Sequence, residues 1–224
     1  MSEATQIVAI DGPAGAGKST VARAVAQELG FAFMDTGAMY RAATWRALRH
    51  DISLEDPEAL AASTREMKLE IEEGAAGQKV RVDGEEVTQA IRTPEVTREI
   101  YRLDQLSPVR RTLVELQRRF GEKQPTVAEG RDIGTVVFPR AKCKIYLDAS
   151  LECRAARRAR ELEAKGLVVD WDQIREEIRE RDHKSMTRAD SPLCKAEDAI
   201  VVDTSDMAPD TVVATLARIA RERL

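Results

Sequence analysis

The feature that most constrains this chain is a glycine-rich run near its N-terminus. Residues 12–19 read GPAGAGKS and fit the pattern GxxxxGK[ST]. An apolar run at 7–10 precedes it, and an amphipathic helical pattern from Lys18 to Leu29 follows it. Glycines in such a loop let backbone N–H groups turn towards phosphate oxygens at the positive end of the next helix. The run therefore predicts a strand–loop–helix unit that binds a nucleoside triphosphate.

Beyond this loop, short apolar runs alternate with helical patterns. The predicted strands are 7–10, 31–34, 126–128, 144–147 and 199–202. Such alternation is typical of a parallel sheet covered by helices, which is an α/β fold. Gly30 is predicted to end the first helix. With 224 residues, of which 43% are hydrophobic, the chain is long and apolar enough to bury the core of one domain.

Residues 67–93 break the alternation. Three strand-like runs, 67–72, 78–82 and 85–87, are separated by a glycine-containing loop (74–77) and by an Asp-Gly turn. An Asp-Gly pair between such runs is a strong signal for a β-hairpin. The region therefore predicts a small antiparallel insertion, after which 88–120 is predicted to be helical, with helix starts near Pro94 and Pro108.

Charge and hydropathy exclude several classes of protein. There are 35 Lys and Arg residues against 39 Asp and Glu, a net charge of −4, which argues against a general nucleic-acid binder. No apolar run approaches the roughly 18 residues that a membrane helix needs. The first residues lack the basic start and apolar stretch of a secretory signal. We therefore expect a cytoplasmic protein with neither a nucleic acid nor a membrane as its partner.

The kind of nucleotide-binding protein is narrowed by what the sequence lacks. A GTPase needs an Asn-Lys-x-Asp segment to read guanine, and this chain contains no asparagine. A catalytic domain acting on a small acceptor fits the length. The alternatives are a regulatory switch module and, more remotely, a nucleic-acid-binding ATPase. The arginines around 131, 154–158 and 181–188 argue against a switch, because a switch has no second phosphate to hold.

Further motifs resemble those of bacterial cytidylate kinases in their order and spacing. They are DTGAMYR at 35–41, EGRDIGTVVFP at 129–139, KIYLDAS at 144–150, and Arg181-Asp182, Arg188, Pro192-Leu193 and DTS at 203–205. The resemblance covers nearly the whole chain. It implies a P-loop kinase fold, with a five-stranded parallel sheet flanked by helices, a small three-stranded antiparallel insertion and a short lid. It also implies transfer of the γ-phosphoryl group of ATP to CMP or dCMP with Mg²⁺, in pyrimidine metabolism, by a cytoplasmic monomer.

The same resemblance implies one domain with three parts. The core would be about 1–60, 108–155 and 189–224, the monophosphate-binding insertion about 61–107, and the lid region about 156–188. The lid tip is expected at 163–172, around Gly166, and its closure would complete the site when both nucleotides are bound.

The resemblance implies a set of site residues at the positions of this chain that match the family motifs. The ATP-binding set is Gly12, Pro13, Ala14, Gly15, Ala16, Gly17, Lys18, Ser19, Thr20, Arg154, Arg157 and Arg158. The CMP-binding set is Thr36, Arg41, Tyr101, Arg110, Arg131, Asp132, Arg181, Ser185 and Arg188. Among them, the resemblance implies catalytic roles for Lys18, Arg131 and Arg188, and the Ser19 hydroxyl is suited to bind Mg²⁺. From the residues alone, a solvated helix is the favoured interpretation of the arginines at 154–158.

The chemistry of phosphoryl transfer favours such a set. The reaction needs in-line positioning, neutralised phosphate charge and exclusion of water, and the planar fork of arginine suits phosphate oxygens. Arg131 follows the apparent end of a strand, where ligands of open α/β sheets bind. Arg41 lies early in a predicted helix for which Thr36 is the expected N-cap.

The acceptor base has a physical rationale as well. Cytosine presents an amino donor at N4 beside acceptors at N3 and O2, so a carboxylate suits N4 and an arginine suits N3 or O2. The resemblance implies that Asp132 and Arg110 are this base-reading pair. Uracil would turn its O4 acceptor towards the carboxylate. The closest rival is a kinase of the same fold for UMP, AMP or a non-nucleotide such as shikimate. The alternative for Asp132 is a structural role, in which its carboxylate pairs with a neighbouring arginine.

Two positions depart from the family pattern. Tyr101 stands where a serine is common, and it would either stack on the base or pack within its helix. Ser185 stands where an aspartate commonly binds the sugar hydroxyl, and Met186 follows in place of a serine. A serine lacks the charge that strengthens such a hydrogen bond. We therefore expect weaker acceptor binding and a blurred preference between CMP and dCMP.

Overall fold

The computed structural model describes residues 6–74, 77–164 and 166–224. They form two compact units, one made of the described residues up to Met34 with Gly121–Leu224, the other of Asp35–Phe120. The second unit contains the region predicted as an insertion together with the helix before it and most of the helix after it.

The elements follow the predicted alternation. The strands are β1 (Ile7–Asp11), β2 (Ala32–Asp35), β3 (Leu69–Gly74), β4 (Gly77–Val82), β5 (Glu85–Glu86), β6 (Thr126–Gly130), β7 (Cys143–Asp148) and β8 (Ile200–Asp203). The helices are α1 (Lys18–Leu29), α2 (Thr36–Arg49), α3 (Pro57–Glu66), α4 (Pro94–Asp104), α5 (Ser107–Lys123), α6 (Leu151–Glu163), α7 (Trp171–Thr187) and α8 (Pro209–Arg223). A 3₁₀ turn at Ala90–Arg92 and a π-helical turn at Ile133–Val137 complete the set.

A five-stranded parallel sheet in the order β2-β6-β1-β7-β8 forms the centre of the first unit. β1 lies between β6 and β7, with Ile10 opposite Glu129 and Ile145, and every residue of β1 is buried. The core joins apolar residues of these strands to those of α1 and α8, among them Val25 and Leu216. The predicted fold class, an α/β fold with a five-stranded parallel sheet, is confirmed. The prediction succeeds because a strand buried on both faces has a continuous apolar sequence.

A three-stranded antiparallel sheet in the order β3-β4-β5 lies in the second unit. Asp83 and Gly84 both have positive φ (52° and 89°), as a tight hairpin turn requires. Asp83 also accepts hydrogen bonds from Arg46 Nε (2.7 Å) and from the Lys68 backbone N–H (2.9 Å). The predicted hairpin is confirmed, while residues 75 and 76 of the predicted loop lie outside the described residues.

Helix boundaries were predicted well, with one correction. Gly30 ends α1 in the left-handed region (φ 69°), as predicted. Thr36 is not the N-cap of α2. Asp35 takes that position, since its Oδ1 accepts from the Ala38 backbone N–H (2.9 Å) and Thr36 is already helical. Within the described ranges, the helices are all too short or too polar to cross a membrane.

Candidate functional site

The glycine-rich loop leaves β1 and enters α1 in a conformation that only glycine adopts easily. Gly12 has φ 152°, and a Cβ there would overlap the carbonyl oxygen of Leu147 on the neighbouring strand β7. Gly17 is the N-cap of α1 with φ 88°. No other residue type combines these angles with so close an approach. The N-terminus of α1 therefore opens into the loop, as an anion site requires.

Lys18 is the buried cation of this loop. Its side chain is 5% exposed, and its Nζ donates to the carbonyl oxygens of Gly12 and Pro13, both at 2.7 Å. Burial, followed by the positive charge of Arg131, lowers the pKa of the Lys18 ammonium well below its usual value. An anion arriving beside Lys18 would offset both effects, so the site favours a phosphate.

Two oxygen groups meet at the start of α1. The Ser19 hydroxyl donates to Glu129 Oε1 at 2.6 Å, and Glu129 lies near the end of β6 with 5% exposure. Hydroxyl and carboxylate oxygens are ligands that Mg²⁺ accepts, and Mg²⁺ commonly takes one or two protein ligands beside substrate phosphates. Over the residues that the structure describes, three or more His, Cys, Asp or Glu side chains nowhere gather into a metal cage. The pair therefore fits a Mg²⁺ that arrives with its nucleotide.

Arg154 of α6 lies against the loop and is largely buried. Its Nε donates to Ala149 O (2.9 Å), and its Nη1 donates to Ala14 O (2.9 Å) and to Asp182 Oδ2. Asp182, on α7, also accepts from the Ala14 backbone N–H through Oδ1 at 2.8 Å. The structure thus brings Arg154 to the loop backbone, together with an acidic partner.

The other two α6 arginines of the predicted ATP-binding set, Arg157 and Arg158, differ from each other. Arg157 donates to Ala16 O (3.0 Å) and to Thr204 O (2.6 Å), so it also lies beside the loop. Arg158 lies on the exposed side of α6, where it pairs with Glu161 at 2.8 Å.

A second loop leaves the sheet beside the first. Asp11 and Gly130 face each other at the ends of β1 and β6, so Arg131 and Asp132 emerge next to the glycine-rich loop. The Asp11 carboxylate accepts from the backbone N–H groups of Ile133 (2.7 Å) and Gly134 (2.8 Å). Burial raises the pKa of Asp11 to about 6, against the opposing effect of these two hydrogen bonds.

The predicted acceptor residues of the first unit lie on this second loop, on α7 and at the C-cap of α7. Arg188 Nη2 lies 3.6 Å from Asp132 Oδ1, and both side chains are buried. Arg188 Nε donates to Ser191 O at 2.6 Å. Arg181 is close enough to Lys18 for its charge to lower the pKa of that lysine. Ser185 is half-buried on α7, one turn before Arg188.

Four predicted acceptor residues belong to the second unit. Thr36 and Arg41 lie on α2, whose first turn is capped by Asp35. Arg110 is 1% exposed, with its guanidinium carbon 5.5 Å from the centre of the Tyr40 ring and its Nη1 donating to Asp104 O (3.0 Å). Tyr101 is half-buried on α4 and has Arg102 5.5 Å from its ring centre. Both interpretations of Tyr101 stay predictions.

Three acidic residues of the first unit were absent from the predicted set. Glu129 and Asp11 each lie at the end of an apolar strand, and that position was a usable signal. Asp182 has no strand-end signal, because it lies within the charged helix α7; its only signal was the Arg181-Asp182 motif of the family resemblance.

Comparison with known proteins gives a consistent picture. The family model described as cytidylate kinase matches residues 8–222. A protein named cytidylate kinase from Carboxydothermus hydrogenoformans is 49% identical over 95% of this chain and 96% of its own length. One of the same name from Ligilactobacillus salivarius is 48% identical, with 96% of each chain covered.

Some relatives are longer. A bifunctional pantoate ligase/cytidylate kinase from Synechococcus elongatus is 48% identical over 97% of this chain, which spans only 42% of that protein. Among solved structures, an uncharacterized protein from Eubacterium ventriosum has a TM-score of 0.53 at 13% identity, over 98% of this chain and 100% of its own. This last likeness concerns the fold alone.

Proposed function

Because the chain belongs to the cytidylate kinase family, we propose that it transfers the γ-phosphoryl group of ATP to CMP or dCMP, giving ADP and CDP or dCDP. One observation carries the proposal. The register of Asp11 with Gly130 brings the loop that holds Lys18 next to the one that holds Arg131 and Asp132. The proposed donor and acceptor sites for phosphate groups would thereby be adjacent within the first unit.

The donor would be held by the loop and its neighbours. Backbone N–H groups of residues 15–20 and the Lys18 ammonium would bind the β- and γ-phosphates, since these groups lie at the positive end of α1. Arg157 would contact ATP from α6, with Arg158 recruited when the lid region closes. Ser19 and Glu129 would hold Mg²⁺, directly or through water, and the ion supplies charge neutralisation at the phosphates when bound.

The acceptor would be held by its phosphate and by its base. Arg131 and Arg188 would bind the monophosphate and offset the charge that builds up as its oxygen attacks the γ-phosphorus and ADP leaves. Asp132 would accept from N4 of cytosine. Arg181 and Ser185 would lie near the sugar and phosphate. From the second unit, the resemblance assigns Thr36, Arg41, Tyr101 and Arg110 to the same substrate, with Arg110 donating to N3 or O2.

The cellular setting follows from the same reasoning. We propose a monomer that works in the cytoplasm in pyrimidine metabolism and that has nucleotides, rather than a nucleic acid or a membrane, as its partners. The balanced charge of the chain supports this proposal.

The test is ADP production from Mg·ATP with CMP, dCMP, UMP and AMP supplied separately, and with ATP alone as the control. We expect turnover with CMP and dCMP, little with AMP, and almost none without a monophosphate. Turnover with UMP equal to that with CMP would contradict the base-reading roles of Asp132 and Arg110 while leaving a kinase. Turnover independent of every monophosphate would refute the kinase and favour a switch module.

A further inference from the structure

A buried ion pair connects α7 to the glycine-rich loop. Asp182 and Arg154 have side chains only 11% and 10% exposed, and their partners include both backbone polar groups of Ala14. Asp182 Oδ1 accepts from the Ala14 N–H, and Arg154 Nη1 donates to the Ala14 carbonyl oxygen. The second carboxylate oxygen, Oδ2, accepts from Arg154 Nη1. One residue of the loop is therefore held from both sides by the pair.

Desolvation makes such a pair a poor source of stability. Removing two charges from water costs several kcal/mol each, and their attraction only roughly offsets that cost. An apolar contact would stabilise this position as well, and one already exists close by. Ile174 and Ile178 of α7 pack with Ala14 and with Ala155 of α6. The pair must therefore contribute something other than the docking of α7.

The position of Asp182 along α7 indicates what the ion pair contributes. The apolar contacts hold the first half of the helix, whereas Arg181 and Ser185 come from the second half and Arg188 is its C-cap. Asp182 lies next to Arg181 and before Arg188. Its carboxylate accepts from the loop backbone, so it sets the distance from the loop to these two arginines.

We propose that Asp182 and Arg154 are positioning residues that fix α7 against the glycine-rich loop. Arg181 and Arg188 are thereby aligned with the phosphate that is held at Lys18. This inference rests on the proposed function and deepens it. It gives Arg154 a role through the loop backbone, apart from any direct contact with ATP. Misplacement by about 1 Å of a group that orients a reactant costs on the order of 100-fold in rate.

The substitution that tests this is Asp182→Asn. The amide keeps an oxygen for the Ala14 N–H but loses the charge that pairs with Arg154. We expect kcat with ATP and CMP to fall at least about tenfold, with a smaller change in KM for either nucleotide, because alignment is lost rather than binding. Backbone amides at 179–187 should exchange hydrogen faster than in the wild type, whereas those of α8 should not change.

A double-substitution cycle with Arg154→Met identifies the pair as one unit. If the two side chains act together, the double variant should be no slower than the slower single variant. The matched control is Glu176→Gln, which breaks an exposed pair with Arg179 on the same helix (2.6 Å) and should leave kcat and amide exchange unchanged.

Two results would overturn the proposal. One is kcat within twofold of the wild type for Asp182→Asn at a temperature where the variant is folded, whatever its melting temperature, because the pair would then be structural only. The other is additive loss in the double variant. If the wild-type protein itself lacks CMP-dependent turnover, the proposed function fails instead. The exchange comparison at 179–187 then still decides whether the pair fixes α7.

Discussion

Replacing Asp11 with asparagine should change how the stability of this protein depends on pH. Burial raises the pKa of Asp11 from 3.8 to about 6, although its carboxylate accepts two backbone hydrogen bonds. A difference of about 2 pH units between the folded and unfolded chains corresponds to about 3 kcal/mol in the free energy of unfolding. Asparagine has no proton to exchange in this range, so the variant lacks this contribution.

The sign follows from proton binding. Between pH 3.8 and about 6 the folded protein holds the Asp11 proton more tightly than the unfolded chain does, so the contribution of Asp11 to stability is present below pH 3.8 and is lost as pH rises through 6. The free energy of unfolding of the wild type, minus that of Asp11→Asn, should therefore fall by about 2 kcal/mol between pH 4.5 and 7. Any constant offset from altered hydrogen bonding cancels in this comparison.

Urea unfolding followed by circular dichroism at several pH values measures this difference. The control is Thr211→Ala, at an exposed position on α8, which removes no titratable group, so the difference from the wild type should stay constant with pH. A constant difference for Asp11→Asn would show that burial does not control this carboxylate. A difference that grows with pH would show that its two hydrogen bonds outweigh burial, which reverses the reasoning.

Three further substitutions test the site. Lys18→Ala should abolish turnover while circular dichroism shows a folded protein, and Lys142→Ala, at an exposed lysine, should retain full rate. Ser185→Asp should lower the KM for CMP up to about tenfold, because a charged acceptor strengthens a hydrogen bond to a sugar hydroxyl; an unchanged or higher KM contradicts this role. Gly12→Ala should eliminate ATP binding in a calorimetric titration, because the added Cβ would overlap the Leu147 carbonyl oxygen and no rotamer relieves a backbone clash. Normal affinity in that variant would show that the loop tolerates a different backbone path.

Much of the fold was predictable because its signals are local. Apolar runs identified all five strands of the parallel sheet, and Asp83-Gly84 identified the hairpin. The one wrong assignment, Thr36 as the N-cap of α2, came from choosing between two neighbouring capping residues. Both can accept from an N–H near the start of a helix, and only the backbone angles show that Asp35 does so.

In the candidate site too, some features were predictable from the sequence and others were decided by the tertiary structure. The sequence alone determined the loop at 12–19, since its glycines, Lys18 and Ser19 act through backbone angles and neighbours within a few residues. The partners of that loop were decided by tertiary structure. Glu129 reaches Ser19 across 110 positions, and Asp182 reaches Ala14 across 168. A carboxylate on a charged helix looks the same in the sequence whether it faces water or a buried backbone N–H. Only the packing of α6 and α7 over the loop removes water from Asp182 and makes its hydrogen bonds matter.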